Sequence, residues 1–302
     1  MHFSKRADNK ELEARALGGL GDAAYAQGKM YSAYHYFLQC LEISEENNLQ
    51  QVSAANLFML GTVSIYHNEN QRALAAVEKS ISTANMVGHK RAEIVSRLTA
   101  SWILIDWLRL DEAINHIDAG LKLSKEIGAK RFIPFLLESK ARYYFWRKEH
   151  NKAKTTIEQA AEDVTNLGIQ KFIGPWVLST QALISNNWQE TEALLEQGSA
   201  ILEQGCVGHN YYRFYVHAIE ACFNHKKYTY ALRFIQKLDA FTFEEKTPWS
   251  NFYIERANTI IAIHNNQEKV EQIKLIIEQS KKYHLLTASL SLEESLSDTL
   301  SL

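Results

Sequence analysis

Small and bulky residues follow one another along this chain in a pattern that returns at a spacing close to forty residues. The clearest copy is the stretch 20–43, LGDAAYAQGKMYSAYHYFLQCLEI. A small residue lies within one predicted helix, a glycine follows at a turn, and the next helix carries a small, a bulky and a small residue. Because apolar residues recur at spacings of three and four on both sides of the turn, the stretch predicts a helical hairpin. Its recurrence predicts an array of such hairpins.

The equivalent positions of each hairpin can be followed down the chain. On the first helix, one column is small: Gly21, Gly61, Ser101, Ala141 and Ser179. On the second helix, another small column reads Ala33, Ala73, Ala113, Ala153, Thr191 and Ala231. Four residues later, a bulky column reads Phe37, Val77, Ile117, Ile157, Leu195 and Ile235. Small residues let two antiparallel helices approach closely, and the bulky residue fills the space between neighbouring pairs.

A column of glycines gives an independent marker of the same period. Gly88, Gly128, Gly168 and Gly208 are forty residues apart, and Asn48 occupies the same phase one unit earlier. Glycine, and less often asparagine, tolerates the left-handed conformation that ends a helix. We therefore expect this column to mark the end of each second helix.

These columns predict an all-α fold. The expected architecture is an α-solenoid, a right-handed superhelix of about six to seven helical hairpins with a period near 40 residues. Residues 1–10 are polar and are expected to be frayed, and residues 11–284 are expected to form a single solenoid. The Ser- and Leu-rich residues 285–302 are expected to form either a helix that caps the final repeat or a disordered tail.

The composition is that of a soluble globular protein, with 46% hydrophobic and 23% charged residues. A formal net charge of -2 gives no general attraction to nucleic acid or to an anionic membrane. No apolar run is long enough to span a bilayer and the first ten residues lack the apolar core of a signal peptide, so we expect a cytoplasmic protein. Three scattered cysteines fit a reducing compartment.

The usual signatures of catalysis are missing from the sequence. Gly18, Gly19 and Gly21 lie within a predicted helix and lack the Lys-Ser/Thr pair of a phosphate loop. Cys206, His209 and His217 lack a fourth partner and match no common zinc spacing. The histidines accompany no nucleophile with an orienting third group. We therefore predict a protein that is not an enzyme and has no cofactor and no metal.

The inner wall of the predicted superhelix offers one candidate binding site. Positions one and five after the first small column lie opposite the seam with the partner helix, and first helices line the concave wall. In the third and fourth units these positions are Trp102, Asp106, Arg142 and Trp146, with Tyr66 beside them. Aromatic residues and arginine dominate interface energetics, so this cluster is a candidate partner-binding groove. The alternative is that the tryptophans pack between repeats while the Arg and Asp merely pair.

The repeat unit resembles a known family of helical hairpins. Leu20-Gly21, Ala33 and Phe37 are similar to the tetratricopeptide signature, although the aromatic expected three residues after Gly21 is Ala24, with Tyr25 one place later.

Longer phrases extend this resemblance over roughly residues 11–260. They include ANLFMLGTVSIY, VGHKRAE, FIGPWVLSTQALI, GCVGHNYYRFYVHAIEAC and TPWSNFYIERA. Together they resemble the C-terminal tetratricopeptide region of bacterial multidomain signalling proteins that carry a class III adenylate or guanylate cyclase domain followed by an AAA-type ATPase. The resemblance implies a regulatory or sensory scaffold. The cyclase aspartates and the ATPase phosphate loop have no counterpart in these residues, so no catalytic residue carries over.

Three functional hypotheses follow. The first is a non-catalytic scaffold that binds a protein or peptide through the concave face. The second is a ligand- or peptide-gated sensor that controls a separate cyclase or transcription module. The third is a subunit of a cyclic-nucleotide enzyme without its own active site. We expect neither nucleic acid nor membrane as a partner, and the aromatic residues of units four to six leave self-association open.

Overall fold

The structure, a computed structural model, describes residues 9–265, 270–290 and 292–293. All regular secondary structure in these ranges is helical. Fourteen α-helices pair in sequence as seven hairpins, which we call repeats one to seven: α1 (Lys10–Ala26) with α2 (Met30–Glu46), α3 (Gln50–Ser64) with α4 (Asn70–Val87), α5 (Lys90–Asp106) with α6 (Leu110–Glu126), α7 (Ile133–Trp146) with α8 (His150–Asn166), α9 (Gln170–Ile184) with α10 (Trp188–Glu203), α11 (His209–Asn224) with α12 (Tyr228–Phe241), and α13 (Pro248–His264) with α14 (Val270–Lys282).

The predicted all-α solenoid is confirmed. Short 3₁₀ turns at Ile65–His67 and Lys130–Phe132 adjoin α3 and α7, and a further helical segment covers residues 286–290 and 292–293. None of the described helices contains an apolar stretch of the length that a bilayer requires. Residues 1–8 and 294–302, which include most of the predicted frayed start and half of the predicted tail, lie outside the described residues.

The two helices of a repeat are buried to different extents. In repeat three, every residue of α5 from Leu98 to Asp106 is buried, whereas α6 buries a stripe that includes Ala113, Ile117 and Gly120. A stripe at spacings of three and four is the pattern of a helix with one face in solvent. The first helices therefore line the interior of the superhelix, and the second helices form its outer layer.

The small and bulky columns meet as the sequence predicts. A Cβ atom added to Gly21 would lie 2.7 Å from the Phe37 ring, and one added to Gly61 would lie 2.5 Å from the Val77 side chain. Glycine at these positions lets the two helices of a hairpin approach closely, because even a methyl group would not fit.

The glycine column is correct for three of its four members. Gly88, Gly128 and Gly168 have φ values of +70°, +68° and +65°, and Asn48 shares this left-handed conformation with φ 55°. Gly208 does not, so its assignment to a helix end is wrong. It has φ -51° and precedes α11 directly, while Gly205, with φ +82°, follows the end of α10.

The superhelix contacts itself after one turn. The Gly208 amide donates a hydrogen bond to the Ala26 carbonyl at 2.8 Å. The Tyr212 hydroxyl donates to the Gly28 carbonyl at 2.9 Å, across 184 residues. Farther along, the Asn70 side chain donates to the Tyr283 carbonyl at 2.7 Å, across 213 residues. One turn thus takes about five repeats, and the inner faces of the first helices surround a closed interior.

The helical segment after α14 returns to the inner wall. His284 packs against the Trp107 ring with 4.5 Å between centroids. Arg256 Nε on α13 donates to the Ala288 carbonyl at 2.6 Å, and the Thr287 hydroxyl lies 3.4 Å from Asp106 Oδ1 on α5. The described residues of this segment therefore cover repeat seven on its inner side and also contact repeat three.

Candidate ligand-binding cavity

A cavity of about 180 Å³ lies inside the superhelix where α5, α7, α9, α11, α13 and the C-terminal helical segment meet. Its deep end is charged and is formed by Asp106, Arg142 and Arg213. Its outer end is lined by the half-buried apolar side chains of Phe145, Trp146, Leu183 and Leu290, and by the exposed residues Lys148 and Asn224. The cavity thus combines a polar floor with an apolar mouth, which is a common composition for a small-ligand site.

The three charged residues of the floor form one buried cluster. Asp106 ends α5, Arg142 lies near the end of α7, and Arg213 lies in the second turn of α11. Arg142 Nη2 donates to Asp106 Oδ1 at 2.7 Å, and Arg213 Nη1 lies 3.9 Å from Asp106 Oδ2. Their exposed fractions are 3% for Asp106, 5% for Arg142 and 3% for Arg213. One carboxylate therefore faces two guanidinium groups in a region that water scarcely reaches.

Aromatic rings hold Arg213 in place. The guanidinium carbon lies 5.7 Å from the centroid of Trp102, 5.2 Å from that of Trp176 and 5.5 Å from that of Trp249. The negative faces of aromatic rings attract a cation at these distances, and the attraction strengthens when water is excluded. The rings compensate part of the desolvation of a charge that Asp106 only partly neutralises.

A second polar layer lies beside the floor. The Thr180 hydroxyl donates to Glu138 Oε1 at 2.9 Å and lies 3.0 Å from Nδ1 of His217. Burial lowers the pKa of His217 well below its usual range, and the charges of Arg142 and Arg213 lower it further, so the imidazole is neutral at pH 7. Burial also raises the pKa of Glu138. The neutral imidazole of His217 adds no charge to the floor, and Glu138 is the one carboxyl of this layer.

The remaining acidic residue of the cavity is already engaged. Arg256 on α13 donates to both carboxylate oxygens of Glu220, with Nη2 at 3.0 Å from Oε2. Such a bidentate pair is strong and geometrically fixed. Glu220 therefore contributes a neutralised pair to the wall of the cavity.

The structure brings three of the five candidate groove residues together. Asp106, Arg142 and Trp146 line the cavity, whereas Trp102 lies behind its floor and packs against the Arg213 that faces Asp106. Tyr66, 2% exposed, does not line the cavity; it lies behind the floor near Arg213 and packs against Tyr212 and Trp249. Trp146 lies at the outer end of the cavity.

For Trp102, Asp106 and Arg142 the geometry agrees with the alternative of packing and pairing. Trp102 packs between repeats, with 4.7 Å between its centroid and that of Trp176, and Asp106 pairs with Arg142. The open groove expected for this cluster is instead a closed interior in which Tyr66, Trp102, Asp106 and Arg142 are each at most 5% exposed. Trp146 alone among the five is only half-buried. Their role in partner binding stays a prediction.

The sequence columns did not identify Arg213, Tyr253 and Thr287, which complete the cavity. These residues belong to repeats six and seven and to the segment beyond, which reach repeat three only because the superhelix closes. One signal was present in the sequence. Arg213 is a lone cation within the otherwise uncharged stretch YYRFYVHAI of a predicted helix, and a buried arginine needs partners.

The cysteine and histidine residues considered as metal ligands have other partners. His209 lies 3.0 Å from the Tyr25 hydroxyl through Nδ1 and 2.7 Å from the Phe172 carbonyl through Nε2. The Cys206 thiol donates to the Ile201 carbonyl at 3.3 Å. Among the described residues, no group of three or more potential ligands is arranged to hold a metal ion.

Comparison with known proteins gives a match only at the level of structure. No protein-family model and no curated protein matches the sequence. A signal transduction ATPase with numerous domains and a tetratricopeptide repeat sensor, from Pyrococcus horikoshii, matches with a TM-score of 0.52 and 16% identity over 79% of this chain. This chain spans 38% of the length of that ATPase. The apo form of RapI matches with a TM-score of 0.57 and 13% identity over 95% of this chain and 99% of RapI. At these identities the likeness is one of fold, a tetratricopeptide-type α-solenoid.

Proposed function

We propose that this chain is a non-catalytic binding module that takes a protein or peptide segment into the interior of its superhelix, at the cavity between repeats three to seven. The observation that carries the proposal is a preformed, charged cavity that opens beside Trp146. Aromatic side chains at the entrance of a preformed pocket are typical anchors for a bound segment. The rigid helical scaffold reduces the entropy lost on binding.

The size of the cavity limits what it holds. At about 180 Å³ it is smaller than the roughly 300–1,000 Å³ of pockets that hold drug-sized ligands. This is room for one side chain or for the end of a peptide, and not for an extended segment. We therefore propose that a partner inserts a terminal residue or a single anchor side chain and that the rest of the segment lies outside, near Lys148 and Asn224.

The module is proposed to serve as the regulatory or sensory part of a signalling system. Two arguments support this: the resemblance to cyclase-associated tetratricopeptide regions, and the sensor named in the Pyrococcus horikoshii ATPase. By that analogy, the output module is a cyclase or a transcription module.

A ligand-gated sensor is the second candidate, and the closure of the superhelix favours it. The Gly208 to Ala26 hydrogen bond joins repeat six to repeat one, and Thr287 joins the C-terminal segment to the cavity floor at Asp106. A ligand in the cavity would contact elements from both ends of one turn. Its binding would therefore bias the opening of the turn, provided that it binds the closed and open forms with different affinities.

Selection from a random peptide library tests the proposal. The immobilised chain is panned against peptides with free termini, and selected peptides are measured against the wild type, Trp146→Ala and Trp188→Ala. Trp188 is the matched control, since it is also half-buried but lies at the start of α10 outside the cavity. We expect peptides that lose at least about tenfold in affinity with Trp146→Ala only, the usual cost of removing an anchor. Selection of no peptide, or equal affinity for all three proteins, would contradict the proposal.

A further inference from the structure

Within the part of the chain that the structure describes, two buried guanidinium nitrogens at the deep end of the cavity lack a hydrogen-bond partner. Among the described residues, neither Nη1 of Arg142 nor Nε of Arg213 meets an acceptor, although both atoms are buried. A buried donor without a partner destabilises the folded chain, and more so when the group is charged. Such atoms in an otherwise well-packed interior favour a missing acceptor as their natural partner.

The charge around the cavity is positive. Arg142, Lys148 and Arg213 line it against Asp106 and Glu220, and Glu220 is also paired with Arg256 from outside the lining. Glu138 lies behind the floor. When it is ionised, the floor and the second polar layer alone are balanced, and the four cations Arg142, Lys148, Arg213 and Arg256 outnumber the three carboxylates by one, a surplus that includes the exposed Lys148. His217 and Tyr253, the other titratable groups of the lining, are neutral at pH 7, because burial lowers the pKa of the imidazole and raises that of the phenol. An anionic group is therefore the favoured occupant.

The shape of the cavity defines the rest of the ligand. The arginines are at the buried end, whereas Phe145, Trp146, Leu183 and Leu290 form the mouth. A planar carboxylate matches the fork of a guanidinium group, and a bulkier phosphate ester would bring a second charge and a hydrated body into an apolar mouth. The arrangement fits an anionic head that is buried first and an apolar body of a few carbon atoms that follows it.

We propose that the cavity binds a carboxylate with a short apolar body, with Arg142 and Arg213 donating to its oxygens and Phe145 and Trp146 contacting the body. The carboxylate belongs either to the C-terminal residue of a peptide or to a free small organic acid. This inference rests on the proposed function, because it names the chemical class of ligand for the same cavity. It adds a charge requirement that a purely shape-selective anchor would not have.

Paired acid and amide probes test this charge requirement on the intact chain. Calorimetric titrations compare hexanoate with hexanamide, and N-acetyl-Leu-Leu as the free acid with its C-terminal amide. Each pair has the same body and differs in the head group alone. We expect at least one acid to bind more than about tenfold more tightly than its amide, the factor expected for a charged hydrogen bond in a buried site. Preference for hexanoate alone would indicate a free acid, and preference for the acetylated dipeptide acid would indicate a peptide end.

Three substitutions, none of which removes a buried charge, show whether the acid binds in this cavity. Trp146→Ala at the mouth is expected to weaken the preferred acid by at least about fivefold, and Trp188→Ala is expected to leave it unchanged, since an aromatic anchor contributes on this scale. Arg142→Lys, checked for folding by circular dichroism, is expected to reduce the preference for acid over amide.

Equal affinities of acid and amide in both pairs, or no binding by either acid, would overturn the inference. If the acids showed no preference but library peptides still bound in a Trp146-dependent way, the proposed function would stand and the carboxylate inference would fail. If no peptide bound, the proposed function would fail as well.

Discussion

Gly208 and Ala26 belong to repeats six and one, yet the amide of Gly208 donates a hydrogen bond of 2.8 Å to the carbonyl of Ala26. This contact closes one turn of the superhelix. It explains why the wall that an open solenoid would offer to a partner is enclosed here, and why only the end of a ligand has room inside. Near this hydrogen bond, the Tyr25 hydroxyl lies within hydrogen-bond distance of His209. The hydroxyl and the amide of Ser32 donate to the Glu245 carboxylate at 2.5 and 3.1 Å.

Replacement of Gly208 by alanine is expected to weaken this closure. The added Cβ would lie within the contact distance of the backbone of Gly28, which cannot move as a side chain can. We expect a loss of about 1–3 kcal/mol in the free energy of unfolding, typical of overpacking, measured by urea denaturation. Gly19→Ala is the control, because nothing lies within 4 Å of its added Cβ and alanine favours a helix. It should raise the stability by about 0.5–1 kcal/mol. Equal effects of the two substitutions would refute the closure argument.

Removal of the Asp106 carboxylate charge is expected to be costly. Asp106→Asn would leave Arg142 and Arg213 buried without their shared counter-charge, and breaking a buried ion pair from one side costs about 3–5 kcal/mol. Glu45→Gln is the matched control, since Glu45 pairs with Lys79 at the surface, where both side chains are 62% exposed. That change should cost less than about 1 kcal/mol. The measurement is the free energy of unfolding of each variant; a cost below 1 kcal/mol for Asp106→Asn would show that the cluster does not depend on this charge.

Trp102→Ala is expected to act on stability and not selectively on binding. The side chain is 4% exposed, its Nε1 donates to the Ser139 hydroxyl at 3.0 Å, and its ring lies beside Arg213. Truncation of a buried tryptophan costs about 3–5 kcal/mol. Trp146→Ala should cost clearly less, because Trp146 keeps one side at the cavity mouth. Thermal unfolding followed by circular dichroism ranks the two; a larger loss for Trp146→Ala would contradict the assignment of Trp102 to the core.

The stability of the chain is expected to fall between pH 6.5 and pH 4 in a way that depends on His209. Burial lowers the pKa of His209 from 6.5 to about 4, so in this window the unfolded chain binds a proton that the folded chain does not. The contribution is complete above pH 6.5 and is lost as the pH falls, by about 3 kcal/mol over the window. Urea denaturation at several pH values measures this dependence.

The histidine variants isolate this effect from that of other groups. His209→Gln should flatten the pH dependence, whereas His150→Gln, at an exposed position, should not. The buried His217 and Glu138 titrate in both variants, so the difference between them reports His209. If the slopes of His209→Gln and the wild type were the same, the coupling between His209 and folding would be absent.

The repeats could be predicted from the sequence because they depend on neighbours in the chain. Gly21 and Phe37, or Gly61 and Val77, are sixteen residues apart and meet within one hairpin, and the same spacing of a small and a bulky residue recurs in repeats three to five. The closed interior could not be predicted in this way. The contact of Gly208 with Ala26, and of Thr287 with Asp106, depends on small rotations between repeats that add up over about five units.

The candidate site could be predicted only in part, because some of its residues belong to repeats that are distant in the sequence. The columns identified Asp106 and Arg142 because they lie on adjacent repeats, and the structure joins them at 2.7 Å. Arg213 could not be assigned to them, since repeat six meets repeat three only across the interior. The small column of the first helices is also interrupted in repeat six, where Ile219 replaces the small residue of repeats one to five.

The most direct test of the account is to find where a bound peptide lies. A peptide from the library selection, carrying a photoreactive group at its C-terminal residue, is crosslinked to the chain, and the attachment site is identified by mass spectrometry. We expect attachment to Phe145, Trp146 or Leu183 at the cavity mouth, which an excess of unlabelled peptide suppresses. Suppressible attachment confined to the outer second helices, such as α6 or α8, would contradict this expectation.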